Sequence, residues 1–82
     1  MNTPLPDRTP INAGKRYRYV GYPGGFRIRA VMLPGHLEYD GGLPGVSVEF
    51  IQPVMLLPGF YPCRTEAEFW QDSRFNNAEN WQ

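Results

Sequence analysis

Arg16, Arg18, Arg27 and Arg29 stand at alternate positions of two nearby segments, Arg16-Tyr17-Arg18-Tyr19 and Phe26-Arg27-Ile28-Arg29. Alternate residues of a β-strand share a face, so a hairpin built from these segments lines up four guanidinium groups. Such a row grips phosphate or carboxylate oxygens through the planar fork of each guanidinium. Tyr22, in the connection between the segments, adds a ring on which a nucleic-acid base can stack. These five residues are the candidate anion or nucleic-acid face. A quieter use is open to the same residues. Glu38, Asp40 and Glu49 fall in phase on later alternating segments and can pair with the arginines across the solvent face. Eight basic residues balance eight acidic ones, so no net field draws in a polyanion or an anionic lipid. Internal pairing is therefore the expectation, with nucleic acid as the alternative.

The remaining reactive groups have structural uses. His36 is the sole histidine and Glu38 follows it at strand spacing, but two ligands on one short segment do not make a zinc site. Cys63 is the sole cysteine, has no disulfide partner in the chain, and reads as a small buried hydrophobe. Of the acid pairs, Glu38/Asp40 suits a strand face and Glu66/Glu68 the first turn of a helix. No phosphate-binding loop pattern is present. No catalytic residue, metal or cofactor is expected.

A second candidate surface is apolar. Val31, Leu33, Ile51 and one face of Val54 to Leu57 lie outside the alternation that points inward, and Phe69, Trp70, Phe75 and Trp81 follow. A small domain needs all its apolar area, so a C-terminal helix is expected to cover these groups within the monomer. Any left uncovered form a contact patch. Phe69, Trp70 and Trp81 are the candidate protein-contact aromatics, facing a protein partner or a second copy.

Four Pro-Gly steps, Pro23-Gly24, Pro34-Gly35, Pro44-Gly45 and Pro58-Gly59, set the frame for these residues. Proline presets φ for the first corner of a turn and glycine accepts the positive φ of the second. A turn centred on Pro23-Gly24 pairs Tyr19 with Ile28, Tyr17 with Ala30 and Arg18 with Arg29, with Ala30 and Met32 inward. His36 to Asp40 alternates as a further strand, with Leu37 and Tyr39 inward. Residues 46–52 put Val46, Val48 and Phe50 on the core face. Val54 to Leu57 reads as a strand or a barrel closure. The expected core is Tyr17, Tyr19, Phe26, Ile28, Val48 and Phe50. Thr65-Glu66-Ala67-Glu68 fits a capping box and opens a helix near 66–75, stopped by Asn76-Asn77. Residues 1–13, with Pro4, Pro6 and Pro10, form an extended N-terminal arm, a tail or a strap of polyproline character. Residues 14–82 form the single domain.

The sum is a mainly β chain: a small antiparallel barrel or roll of about five strands with a C-terminal helix. It resembles the SH3-like barrels in strand count, strand length and tight hairpins, and lacks the length and internal helix of an OB-like barrel. Twelve aromatics among 82 residues supply the packing area that a short chain needs. Nine glycines and nine prolines argue against a helical bundle. The chain has no apolar run long enough to cross a membrane and no signal-peptide pattern at its start, so a cytoplasmic location is expected. The function expected is a non-enzymatic binding module acting on proteins, of the size of the small accessory or inhibitor proteins that mobile elements carry.

Overall fold

A computed structural model describes residue 8, residues 10–51 and residues 54–81. The fold is mainly β, with strands β1 (Arg16–Tyr19), β2 (Gly25–Met32), β3 (Gly45–Phe50) and β4 (Gly59–Pro62). A short helix α1 (Glu66–Gln71) and a last strand β5 (Ala78–Asn80) follow. All strand pairs are antiparallel, in one sheet of order β4-β3-β2-β1-β5. Among the described residues the sheet is open, with β4 and β5 at its edges. No helix among them is long and apolar enough to cross a membrane.

The first hairpin forms, in a register four residues away from the expected one. Arg16 faces Arg27, Tyr17 faces Phe26 and Arg18 faces Gly25. The connection is a four-residue loop, Val20 to Pro23, closed by Tyr19 N–H donating to the Gly24 carbonyl at 3.1 Å. Gly21, at φ 76°, supplies the left-handed corner, so Pro23-Gly24 leads into β2 instead of making the turn. A shift by an even number preserves parity. Tyr17, Phe26 and Ile28 therefore remain inward and fully buried.

Along β2 the parity does break. Ile28 faces Val48 but Ala30 faces Ser47, leaving Arg29 as the extra residue of a β-bulge. A bulge turns the alternation over beyond it. Val31 and Leu33 are thereby buried, and Ala30 and Met32, expected inward, are only partly covered.

Two further expectations, both of strands, are corrected. His36 to Asp40 is not a strand. His36 N–H donates to Leu33 O at 2.9 Å across Pro34-Gly35, with Gly35 at φ 95°, and Tyr39 N–H donates to His36 O at 3.1 Å. These successive turns leave Leu37 fully exposed. Val54 to Leu57 is likewise irregular, and the strand lies after it, at β4.

The helix begins as its sequence predicts. Thr65 Oγ accepts from Glu68 N–H at 3.0 Å, while Glu68 Oε1 reaches past the cap to accept from Arg64 N–H at 2.5 Å. It ends at Gln71, four residues early, because Asp72 Oδ1 accepts from Arg74 N–H at 2.8 Å. That local bond competes with helix continuation. The turn it starts swings Phe75 into the core, stacked on Phe69 at 4.4 Å between ring centres.

The core is an aromatic cluster between the sheet's inner face and the segment 65–77. Phe26 is its hub, with Tyr17 at 5.4 Å, Phe75 at 5.1 Å and Phe69 and Trp70 beyond. Offset and edge-on pairs of this kind add about 0.5–1.5 kcal/mol each to the area they bury. So short a helix is unstable alone. It stands because Phe69 and Trp70 are buried in the cluster. Of the expected core, Tyr19 and Phe50 are partly buried and pack against the cluster. Ile11, assigned to the arm, is fully buried in it. Residues 1–7 and 9 of that arm lie outside the described residues.

Candidate binding surfaces

The arginines stand on or beside the outer face of the sheet, and their carboxylate partners are in part unexpected. Arg27 pairs with Glu49, directly opposite it on β3. Arg18 pairs with Glu79 at 3.5 Å, directly opposite on β5. Glu38 is exposed, and Asp40 accepts from Gly42 N–H at 2.9 Å, so neither reaches the arginines as expected. Arg16 lies 5.9 Å from the Trp81 ring centre, a cation–π contact. Arg29, lifted out of register by the bulge, has no ion-pair partner among the described residues.

Trp81 reaches this face because its N–H donates to Arg16 O at 3.1 Å, extending the β5 register by one residue. Its ring lies over Gly25, where a Cβ would collide with both the ring and the Tyr17 carbonyl. Phe60 covers Gly45 in the same way at the other side of the sheet. Two aromatics thus seal the outer face where strand glycines leave gaps.

Of the candidate protein-contact aromatics, Phe69 and Trp70 are not on the surface at all. The capped helix turns both into the core, and Trp81 is partly covered against Gly25 and Arg16. The exposed apolar residues are different ones. Met55 is 96% exposed, Leu57 82% and Phe60 40%, with Val20 and Tyr22 nearby in the chain's first loop. Tyr22, Met55, Leu57 and Phe60 border two adjoining grooves. One, of about 450 Å³, is lined by Tyr19, Tyr22, Val54, Met55, Ser73 and Asn77. The second, of about 430 Å³, runs from Met55 and Leu57 to Phe60 and Tyr61. Met55, Leu56 and Arg74 line both.

Polar groups in these grooves are mostly held. Arg74 forms a two-pronged pair with Asp72, at 2.9 and 2.6 Å, and lies 4.6 Å over the Tyr61 ring. This pairing pulls the Asp72 carboxyl below the usual range. Asn77 donates to Val20 O at 2.9 Å, pinning the first loop to the 73–77 turn. The exception is Tyr19. Its hydroxyl is buried with no hydrogen-bond partner among the described residues, and burial pushes its pKa up to about 12.

On the opposite side His36 Nε2 lies 3.4 Å from Glu66, whose Oε1 also accepts from Ile11 N–H at 3.3 Å. The cluster ties the chain start to the helix. Among the described residues no three His, Cys, Asp or Glu side chains are placed to hold a metal. Cys63 is partly buried, and desolvation raises its thiol to about 11, so it is protonated at neutral pH. Compared with protein-family models, curated proteins and solved structures, the chain matches none.

Sequence reasoning put one face of Val54 to Leu57 in the apolar surface but expected the helix to cover it, because the run is apolar on both sides of any alternation, the pattern of a covered strand; Phe60 it did not single out. Pro53 before it and Pro58-Gly59 after it were the available signal for an exposed loop. Glu79 was missed because β5 follows Asn76-Asn77, a plausible end to ordered structure.

Proposed function

We propose that this protein is a non-enzymatic protein-binding module, and that its contact surface is the pair of grooves from Tyr19 and Tyr22 to Phe60. The observation that carries the reading is the concentration of Met55, Leu57, Phe60 and Tyr22, exposed around two adjoining grooves. Apolar groups gathered at one site on so small a domain mark a contact surface. The SH3-like analogy belongs to this proposal. Small rolled sheets of that kind bind extended peptides in aromatic-lined grooves, and the Tyr19–Tyr22 wall, with ring centres 6.2 Å apart, fits the role. A small accessory or inhibitor protein acting in the cytoplasm is the form of module proposed.

The nucleic-acid alternative draws support from Arg16, Arg29 and the Trp81 ring. It draws less because Arg18 and Arg27 are already matched by carboxylates. Affinity for a nucleic acid would fall steeply with salt, whereas apolar contact would not.

The test is site-specific photocrosslinking in cells that make the protein. A benzophenone amino acid at Met55 should give a discrete protein adduct that Leu57→Glu abolishes. The same probe at Leu37, exposed but remote from the grooves, should give none. No adduct at Met55, or equal adducts at both positions, would overturn the reading.

A further inference from the structure

The sheet has two edges, and among the described residues only one is open. Along β5, Asn77 and Trp81 bond inward to β1, through Val20 N–H to Asn77 O at 2.9 Å and Trp81 N–H to Arg16 O at 3.1 Å. Antiparallel alternation then turns the backbone groups of Ala78 outward. Both are used. Ala78 N–H donates to Phe75 O at 3.1 Å, and its carbonyl accepts from Arg8 Nη1 at 3.0 Å. Asn80 is engaged as well.

Along β4 the same reasoning gives the opposite result. Cys63 N–H donates to Pro44 O at 3.2 Å in the register that pairs Tyr61 with Val46 and Gly59 with Val48. These residues bond inward to β3, so Phe60 and Pro62 turn their backbone groups to the outer edge. No described residue meets the Phe60 N–H, the Phe60 carbonyl or the Pro62 carbonyl. Grooves flank this edge at both ends, the one from Met55 to Tyr61 and another of about 250 Å³ between Leu43, Pro62 and Cys63.

The edge presents one donor and two acceptors, and that inventory selects its occupant. A second copy pairing antiparallel with Phe60 against Phe60 would make two hydrogen bonds and no more. The next pairs on either side set Pro62 opposite Pro58, and neither has an N–H. Sliding the register so that Phe60 faces Pro62 again gives two, from each Phe60 N–H to the facing Pro62 carbonyl. An unlike strand with N–H groups at both facing positions satisfies all three edge groups. Prolines here act as edge prolines do elsewhere, discouraging like-with-like pairing.

We propose that β4 receives an extended segment of a partner protein, added as a sixth strand beside Phe60 and Pro62, free of proline at its facing positions and apolar enough to cover Met55, Leu57 and Leu43. This inference rests on the protein-binding reading and names the form of its partner. Strand addition takes affinity from main-chain bonds and specificity from side-chain pockets beside the edge.

The test leaves the protein unaltered. A random dodecapeptide library displayed on phage is selected against it, and the best binder is synthesised with single N-methyl groups along its backbone. Methylation should weaken binding about tenfold or more at alternate amides and spare the intervening ones. Amide exchange at Phe60, fast in the unbound protein, should slow about tenfold or more with peptide bound. A peptide that shifts Met55 and Leu57 resonances without slowing Phe60 exchange, and tolerates every N-methyl group, would overturn strand addition and leave the groove reading intact. Slow Phe60 exchange without peptide, rising with protein concentration, would replace the partner by a second copy. Failure to select any binder would overturn both readings.

Discussion

The two ends of the sheet handle the same problem in opposite ways. At β5 the outward carbonyl of Ala78 meets the Arg8 guanidinium, which also reaches Phe75 O and Asn76 O at 3.4 Å and lies 4.4 Å over the Trp70 ring. At β4 the outward groups meet nothing described, and the side chains beside them are exposed. An unpaired edge is a liability in a small β protein. One end is closed by the chain itself with a cation, an aromatic core and a turn. The other carries only prolines that make self-pairing poor. Closure belongs to stability and openness to contact, so substitutions at the two ends should sort into these classes.

The largest effect is expected where the closed end joins the core. Phe75 is fully buried, stacked on Phe69 and 5.1 Å from both Phe26 and Tyr61. Phe75→Ala should cost about 3–5 kcal/mol, much of the stability of a domain this size. Urea unfolding followed by tryptophan fluorescence measures it. A midpoint near wild type would show that the 72–77 turn is not what holds β5 in place.

Arg8 comes next. Arg8→Ala removes three carbonyl contacts and the stack on Trp70, and should cost about 1–3 kcal/mol. Arg8→Lys should recover only part of this, since an ammonium lacks the planar fork that stacks on an indole. Full recovery by lysine would reduce Arg8 to a point charge and weaken the contrast between the edges.

Much of this arrangement was legible in the chain, and what was not has a common cause. Local patterns carried through: the alternating tyrosines and arginines of β1, the buried phase of β3 and the Thr65 cap. Errors arose where one residue changed the count. The bulge at Arg29 reversed the faces of Val31 and Leu33, and the Asp72 turn cut the helix short. The closed edge depends on Arg8 meeting Ala78, seventy residues away in sequence, and no local pattern encodes that contact. Arg16, Arg18 and Arg27 stand on the expected phase, but the bulge lifts Arg29 out of register, and one of the carboxylates, Glu79, lies on a strand the sequence did not announce.

A smaller effect separates two tyrosines that titrate alike. Burial raises both Tyr17 and Tyr19 from 10.0 to about 12. Tyr17 OH donates to the Arg8 carbonyl at 3.2 Å, on the closed side, whereas Tyr19 OH, beside the groove, has no partner among the described residues. Tyr17→Phe should therefore cost about 0.5–1.5 kcal/mol, and Tyr19→Phe should be neutral or stabilising, because it removes an unsatisfied buried hydroxyl. The alkaline behaviour has a definite sign. The folded chain holds these phenolic protons more tightly than the unfolded chain does. Their contribution is full below pH 10 and is lost as pH rises towards 12. Either Phe variant should soften that loss in a pH series of urea midpoints. A loss unchanged in both would assign it to other groups.

The smallest effect is the most discriminating. Met55 and Leu57 are nearly fully exposed, so Met55→Glu and Leu57→Glu remove little buried area. Each should move stability by no more than about 0.5 kcal/mol. Met55 also lines both grooves, so the same substitutions should abolish any association the grooves support. An acidic side chain there would have to be desolvated without a partner, since Arg74, the guanidinium lining both grooves, is already held by Asp72. Urea midpoints, and the yield of the Met55 crosslink measured in Leu57→Glu, therefore move independently at the open end and together at the closed one. If Leu57→Glu cost several kcal/mol instead, Leu57 would be packed in solution, and β4 would be as closed as β5.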